Sequence, residues 1–154
     1  MATGEFEVSG GPAPGLLHGH IYATVMEHGG ATPTNIIRSD QAWGVDFTWD
    51  LHGTLVPMIC GYWCLHVCLE SVGPGQELKL PDSIPGAPEV KIPVNQASGH
   101  YSYHFHVPAG VVQPQHCSTP YKLVATITYE TQYGSPGPLA GYVDGPVLQF
   151  YRAS

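Results

Sequence analysis

The chain has 154 residues, the size of one domain around one core, and 43% of them are hydrophobic, which argues against disorder. Nineteen glycines and fifteen prolines leave little room for long helices. The formal charge is −7 and the five basic residues are scattered, which argues against a surface for nucleic-acid phosphate or for an anionic membrane.

The first stretch, "MATGEFEVSGGPAPG", has neither a basic n-region nor an apolar h-region, so no secretory signal is expected. Residues 1–15 are expected to form a tail or an accessory strand around "EFEV", and residues 16–154 a single β-sandwich domain. No run has the length of a membrane-spanning helix. A cytoplasmic location follows as an expectation, with Cys60, Cys64, Cys68 and Cys117 as reduced thiols.

Two-residue alternation then recurs along the chain, which is the signature of half-buried strands. In "LHGHIYATVME", Leu17, Ile21, Ala23 and Val25 oppose His18, His20, Tyr22 and Thr24. In "AWGVDFTWDLH", Trp43, Val45, Phe47, Trp49 and Leu51 oppose Asp46, Thr48, Asp50 and His52. In "GYWCLHVCLE", Trp63, Leu65, Val67 and Leu69 oppose Tyr62, Cys64, His66, Cys68 and Glu70. Short edge strands are expected in "ELKL" and "EVKIPV", where prolines suit an edge. In "HYSYHFHV", Tyr101, Tyr103, Phe105 and Val107 oppose His100, Ser102, His104 and His106. "YKLVATITYE" alternates likewise, and a last strand is expected in "GPVLQFYR". Stretches such as "SVGPGQ", "PDSIPGAP" and "YGSPGPLAG" read as turns. The expected core contains Trp43, Phe47, Trp49, Trp63, Leu65, Val67, Tyr103, Phe105, Leu123 and Ile127.

About seven strands with one apolar face each imply an all-β, antiparallel, two-sheet β-sandwich. Their spacing resembles the immunoglobulin-like and fibronectin type III-like sandwiches. Trp63 stands on the third main strand, where such folds keep a core tryptophan, and Tyr121 opens the penultimate strand as a tyrosine-corner residue does. A jelly roll is the rival architecture. The resemblance implies a fold and no activity.

Side chains two apart on a strand point the same way, roughly 6.5–7 Å apart. His104 and His106 are so placed, and neutral imidazole suits Zn and other transition metals. With an immunoglobulin-like strand order, His18, His20, His52, His100, His104 and His106 share one outer sheet face with Asp46 and Asp50. These six histidines are the metal candidates, with zinc or another transition metal as the ion. The competing reading is a solvated polar face, with no cofactor at all. A cupin-like site is not supported, because no glutamate follows the His-x-His in "HFHVPAGVVQ".

Tyr62, Cys64, His66 and Cys68 form a second outward set, poorly suited to bulk water, and are the interface candidates. Cys64 and Cys68 lie about 13 Å apart on an extended strand, out of disulfide reach of each other. No G-x-S-x-G elbow or phosphate-binding loop is present, so no catalytic residue is named.

The expected function is a non-catalytic interaction or self-assembly module, pairing with itself, with another protein, or with both. The alternative is a metal-binding protein or metal-dependent enzyme using the histidine face. The first segment, "LLHGHIYATVMEH", and the last, "VLQFYR", are the expected unguarded edges, and "EFEV" is expected to add to an edge of its own or a neighbouring chain.

Overall fold

The computed structural model describes residues 2–8, 16–27, 33–73, 76–114 and 118–152. Its strands are β1 (Ala2–Val8), β2 (His18–Glu27), β3 (Ile36–Arg38), β4 (Trp43–His52), β5 (Gly61–Ser71), β6 (Leu78–Leu80), β7 (Val90–Pro93), β8 (His100–Val107), β9 (Ser118–Thr131) and β10 (Pro136–Tyr151). One 3-10 turn, Val56–Met58, lies between β4 and β5. The protein is all-β, and every pairing is antiparallel except that of β3 with β10.

The expected two separate sheets of about seven strands give way to ten strands in one sheet, curled like a half-barrel. The hydrogen-bonded order is β6-β5-β9-β10-β1-β2-β4-β8, with β3 beside β10 and β7 beside β5. The continuity comes from β1, the expected accessory strand. Its residues Ala2, Thr3, Gly4 and Glu5 pair with β2, and Phe6, Glu7 and Val8 pair with β10. Gly4 permits this change of partner. A Cβ there would stand 1.8 Å from the carbonyl oxygen of Tyr142 on β10, so no other residue lets the strand pass so close.

The alternation seen in the sequence turns one side of each strand into the core. Of the ten expected core residues, nine are buried; Tyr103 is only half-buried, because β8 ends the sheet. Trp63 on β5 is fully buried and meets the rings of Phe6, Trp49, Tyr101 and Tyr129 at centroid distances of 5.6, 6.4, 5.6 and 5.8 Å. Those rings come from β1, β4, β8 and β9, so one side chain ties together distant parts of the curled sheet. Each aromatic pair adds about 0.5–1.5 kcal/mol beyond its area. Four such pairs offset the buried indole N–H of Trp63, which finds no acceptor among the described residues and costs about 1–3 kcal/mol.

Two sequence expectations are corrected, and one strand is new. "YGSPGPLAG", read as a turn, holds the first part of β10; Pro136 and Pro138 sit at a register shift between Pro136 and Ala140, where the ladder spares donors. The segments "LLHGHIYATVMEH" and "VLQFYR" are not open edges, since β2 lies between β1 and β4, and β10 lies between β9 and both β1 and β3. Strand β3 has only three residues and no visible alternation, and was not expected.

Candidate functional site: the histidine face and the free edge

Strands β2, β4 and β8 lie side by side, and their register puts outward residues in rows across the sheet. His18 is opposite His52, and His20 is opposite Asp50, which is opposite His100. Thr24 faces Asp46, which faces His104, and Gly44 faces His106. The six histidines and two aspartates picked out from the sequence therefore share one face. Antiparallel pairing in register, with a side-chain period of two, makes this unavoidable once the strands are neighbours.

The face has two distinct ends. At one, His104 Nδ1 lies 2.5 Å from Asp46 Oδ1, with both side chains about half exposed. Gly44 makes room for this ring, since a Cβ there would be 2.6 Å from His104 Cε1. His106 is exposed beside it. The contact that defines this end is the one between His104 and Asp46.

Imidazoles converge at the other end, around Asp50. Its Oδ1 lies 3.1 Å from His52 Nε2 and 3.6 Å from His20 Nδ1. The His52 ring has His18 at 5.3 Å on one side and His100 at 5.9 Å on the other. Asp50 Oδ1 is closed off from solvent and accepts no well-aligned hydrogen bond. Among the described residues no three His, Cys, Asp or Glu side chains stand in a finished metal-holding arrangement.

The interface candidates on β5 behave differently. Tyr62 and His66 are exposed, Cys68 is half-buried and Cys64 is buried. Cys64 donates to Glu130 Oε2 at 3.3 Å, and Lys91 Nζ lies 3.1 Å from Glu130 Oε1. Burial pushes the Cys64 thiol up to about 11, helped by the hydrogen bond to Glu130 and by its charge. Burial also raises Cys68, with Glu70 and Glu77 adding to it. The thiolate is the nucleophile and the zinc ligand, so Cys64 and Cys68 are poor at both tasks. Cys60, Cys64 and Cys68 are free thiols, while His116 and Cys117 lie outside the described residues.

Among the described residues the sheet has one long open edge, and the sequence did not mark it. The far side of β5 is covered by β6 and β7, which are short and flanked or ended by Pro81 and Pro93. β8 is the last strand of the path at the other end. Leu51 N donates to Gly99 O at 2.8 Å, which sets the phase of the β4–β8 ladder. Odd-numbered residues of β8 therefore bond to β4, and the main-chain groups of Ser102, His104 and His106 face the open edge, while the His100 N–H donates to Ser98 Oγ at 3.2 Å. A hollow of about 380 Å³ lies beside that edge, lined by Tyr103, Phe105 and His106 on one side and by Ile84, Pro88 and Val90 on the other.

No protein-family model matches the chain, and a search of curated proteins gives no match. No helix among the described residues is long and apolar enough to cross a membrane.

Proposed function

We propose that the protein is a non-catalytic module that assembles with a second copy of itself through the free edge of β8. The carrying observation is the edge: eight residues without lysine, proline or a register shift, ending a sheet whose other end is covered. Such an edge presents unpaired N–H and C=O groups as a template for another strand. Antiparallel pairing about a two-fold axis matches even residues with even, so the histidines of both copies stay on one face and Tyr103 and Phe105 on the other. The hollow beside Tyr103 leaves space for the incoming strand before it meets the 81–91 segment. The immunoglobulin-like layering belongs to the same proposal. It is supported by contact of Trp49 on β4 with Trp63 on β5, strands that are not neighbours in the sheet.

Light scattering on untagged protein at micromolar concentration tests this. Wild type should run at about twice the mass of one chain. Ser102→Pro removes an edge-facing donor and leaves the β4 ladder intact, so it should give a folded monomer with an unchanged far-ultraviolet spectrum. A wild-type mass of one chain would end the assembly reading.

A further inference from the structure

We propose that Asp50, His20 and His52 form a binding site for a divalent transition-metal ion of the zinc type. Donors that share one tetrahedral zinc, each at roughly 2.0–2.1 Å from it, stand about 3.3 Å from one another. Asp50 Oδ1 lies 3.1 Å from His52 Nε2 and 3.6 Å from His20 Nδ1, which brackets that spacing. A hydrogen-bonded cluster would show well-aligned N–H donors on the carboxylate. Here Oδ1 is shut off from solvent and accepts none, although two ring nitrogens stand beside it. A cation at Oδ1 satisfies that oxygen, and the two ring nitrogens beside it reach the same ion once the rings turn.

The surroundings suit an ion. The anchor is the better-buried member, with the Asp50 side chain 20% exposed against 44% for His20 and 47% for His52. The two imidazoles can therefore turn onto an ion held at a fixed oxygen without disturbing the core, which is the adjustment needed to bring the third donor in. His18 and His100 border the site through the His52 ring. Two imidazoles and one carboxylate leave a fourth position for water, and this donor set favours borderline metals over calcium or magnesium. The net charge of −7 attracts cations to the surface as a whole. Asp46 Oδ1 and His104 Nδ1, by contrast, already have each other as partners.

The test is calorimetric titration of chelator-treated, untagged full chain with zinc chloride near neutral pH. One ion per chain is expected, with a dissociation constant of about 10 µM or tighter. Asp50→Asn, His20→Gln and His52→Gln should each weaken binding by about tenfold or more, whereas His104→Gln should change it less than about twofold. Affinity should fall as pH drops from about 7.5 to 5.5, because protons compete for the imidazoles. Should Asp50→Asn fail to fold, the two histidine variants carry the test. The Ser102→Pro variant should bind zinc as wild type does, so failure of self-assembly and failure of this site are told apart. Binding weaker than about 100 µM in wild type, unchanged affinity in Asp50→Asn, or an equal loss in His104→Gln would overturn the proposal. Stabilisation of the cluster by acid alone, without zinc binding, would show it to be a proton-held pair and would overturn it as well.

Discussion

The outer faces of β4 and of β5 start from the same kinds of side chain, a carboxylate among histidines or cysteines, and end in opposite chemical states. Beside β5, Glu130 of β9 is satisfied by Lys91 on one oxygen and Cys64 on the other. On β4, Asp50 has an enclosed oxygen that two imidazoles approach without a well-aligned hydrogen bond. A lysine makes the difference. It brings a permanent charge to Glu130, while burial and the contact with Glu130 keep the Cys64 thiol protonated, whereas the Asp50 cluster contains no lysine or arginine and depends on what comes from solution. Ligand-type residues on a strand face therefore do not make a site unless their own neighbours leave them unsatisfied.

The largest way to break this contrast is through the core that both faces share. Trp63→Ala should cost roughly 3–5 kcal/mol in denaturant unfolding. The damage should reach both faces, since Trp63 touches Trp49 beneath the histidines and Tyr129 next to Glu130. Trp63→Phe should cost less, because it removes the indole N–H that has no acceptor along with part of the ring. Equal costs for the two variants would show that the orphan donor is not a liability.

A smaller effect separates the faces by pH. Lys91 first, then the Cys64 hydrogen bond, hold the Glu130 carboxyl below its ordinary value of 4.5. A carboxyl lowered in the folded state stabilises the fold above its unfolded value, and that contribution is lost as pH falls through the folded value. Glu130→Gln should therefore make the decline in melting temperature between about pH 5 and pH 3 shallower than in wild type. Asp144, lowered by Lys122, keeps an acid-labile contribution in both proteins. Parallel declines would mean that the Lys91–Glu130 pair adds nothing to the fold.

The smallest effect concerns the thiols. With Cys64 raised to about 11 and Cys68 raised as well, iodoacetamide should modify both slowly in native protein near neutral pH. Cys60 serves as the reference, and peptide mapping after a short exposure reads the three rates. Rapid labelling of Cys64 would mean that its link to Glu130 opens readily.

The sequence made the strands legible because they alternate strictly. "AWGVDFTWDLH" and "HYSYHFHV" name their inward and outward residues without help from the fold, and their pairing then follows from the register. It also showed which residue types would gather on the histidine face. It did not show which carboxylate would be left unsatisfied, since that depends on Lys91 reaching Glu130 across 39 residues of chain and on no such cation reaching Asp50. The open edge was misplaced for a related reason. Proline and lysine content identifies guarded strands, but "LLHGHIYATVMEH" looks bare because β1 and β4 cover it, and only the strand order reveals that β8 is left over. The early part of β10 was hidden because its glycines and prolines mimic a turn.

The division of β1 between β2 and β10 bears on the order in which the protein can fold. Strands β2 and β4 are near in sequence and can pair early, as can β9 and β10, because short loops close at small entropic cost. The contact between Phe6 and Gly141 spans almost the whole chain and is the slowest kind to find. Until it forms, the β2–β4–β8 half and the β9–β10 half are joined by no ladder, and both β2 and β10 present bare edges to other chains. The seam sealed by one seven-residue strand is thus where a half-folded molecule is most exposed to mispairing, and where a chaperone or a second nascent chain would find it.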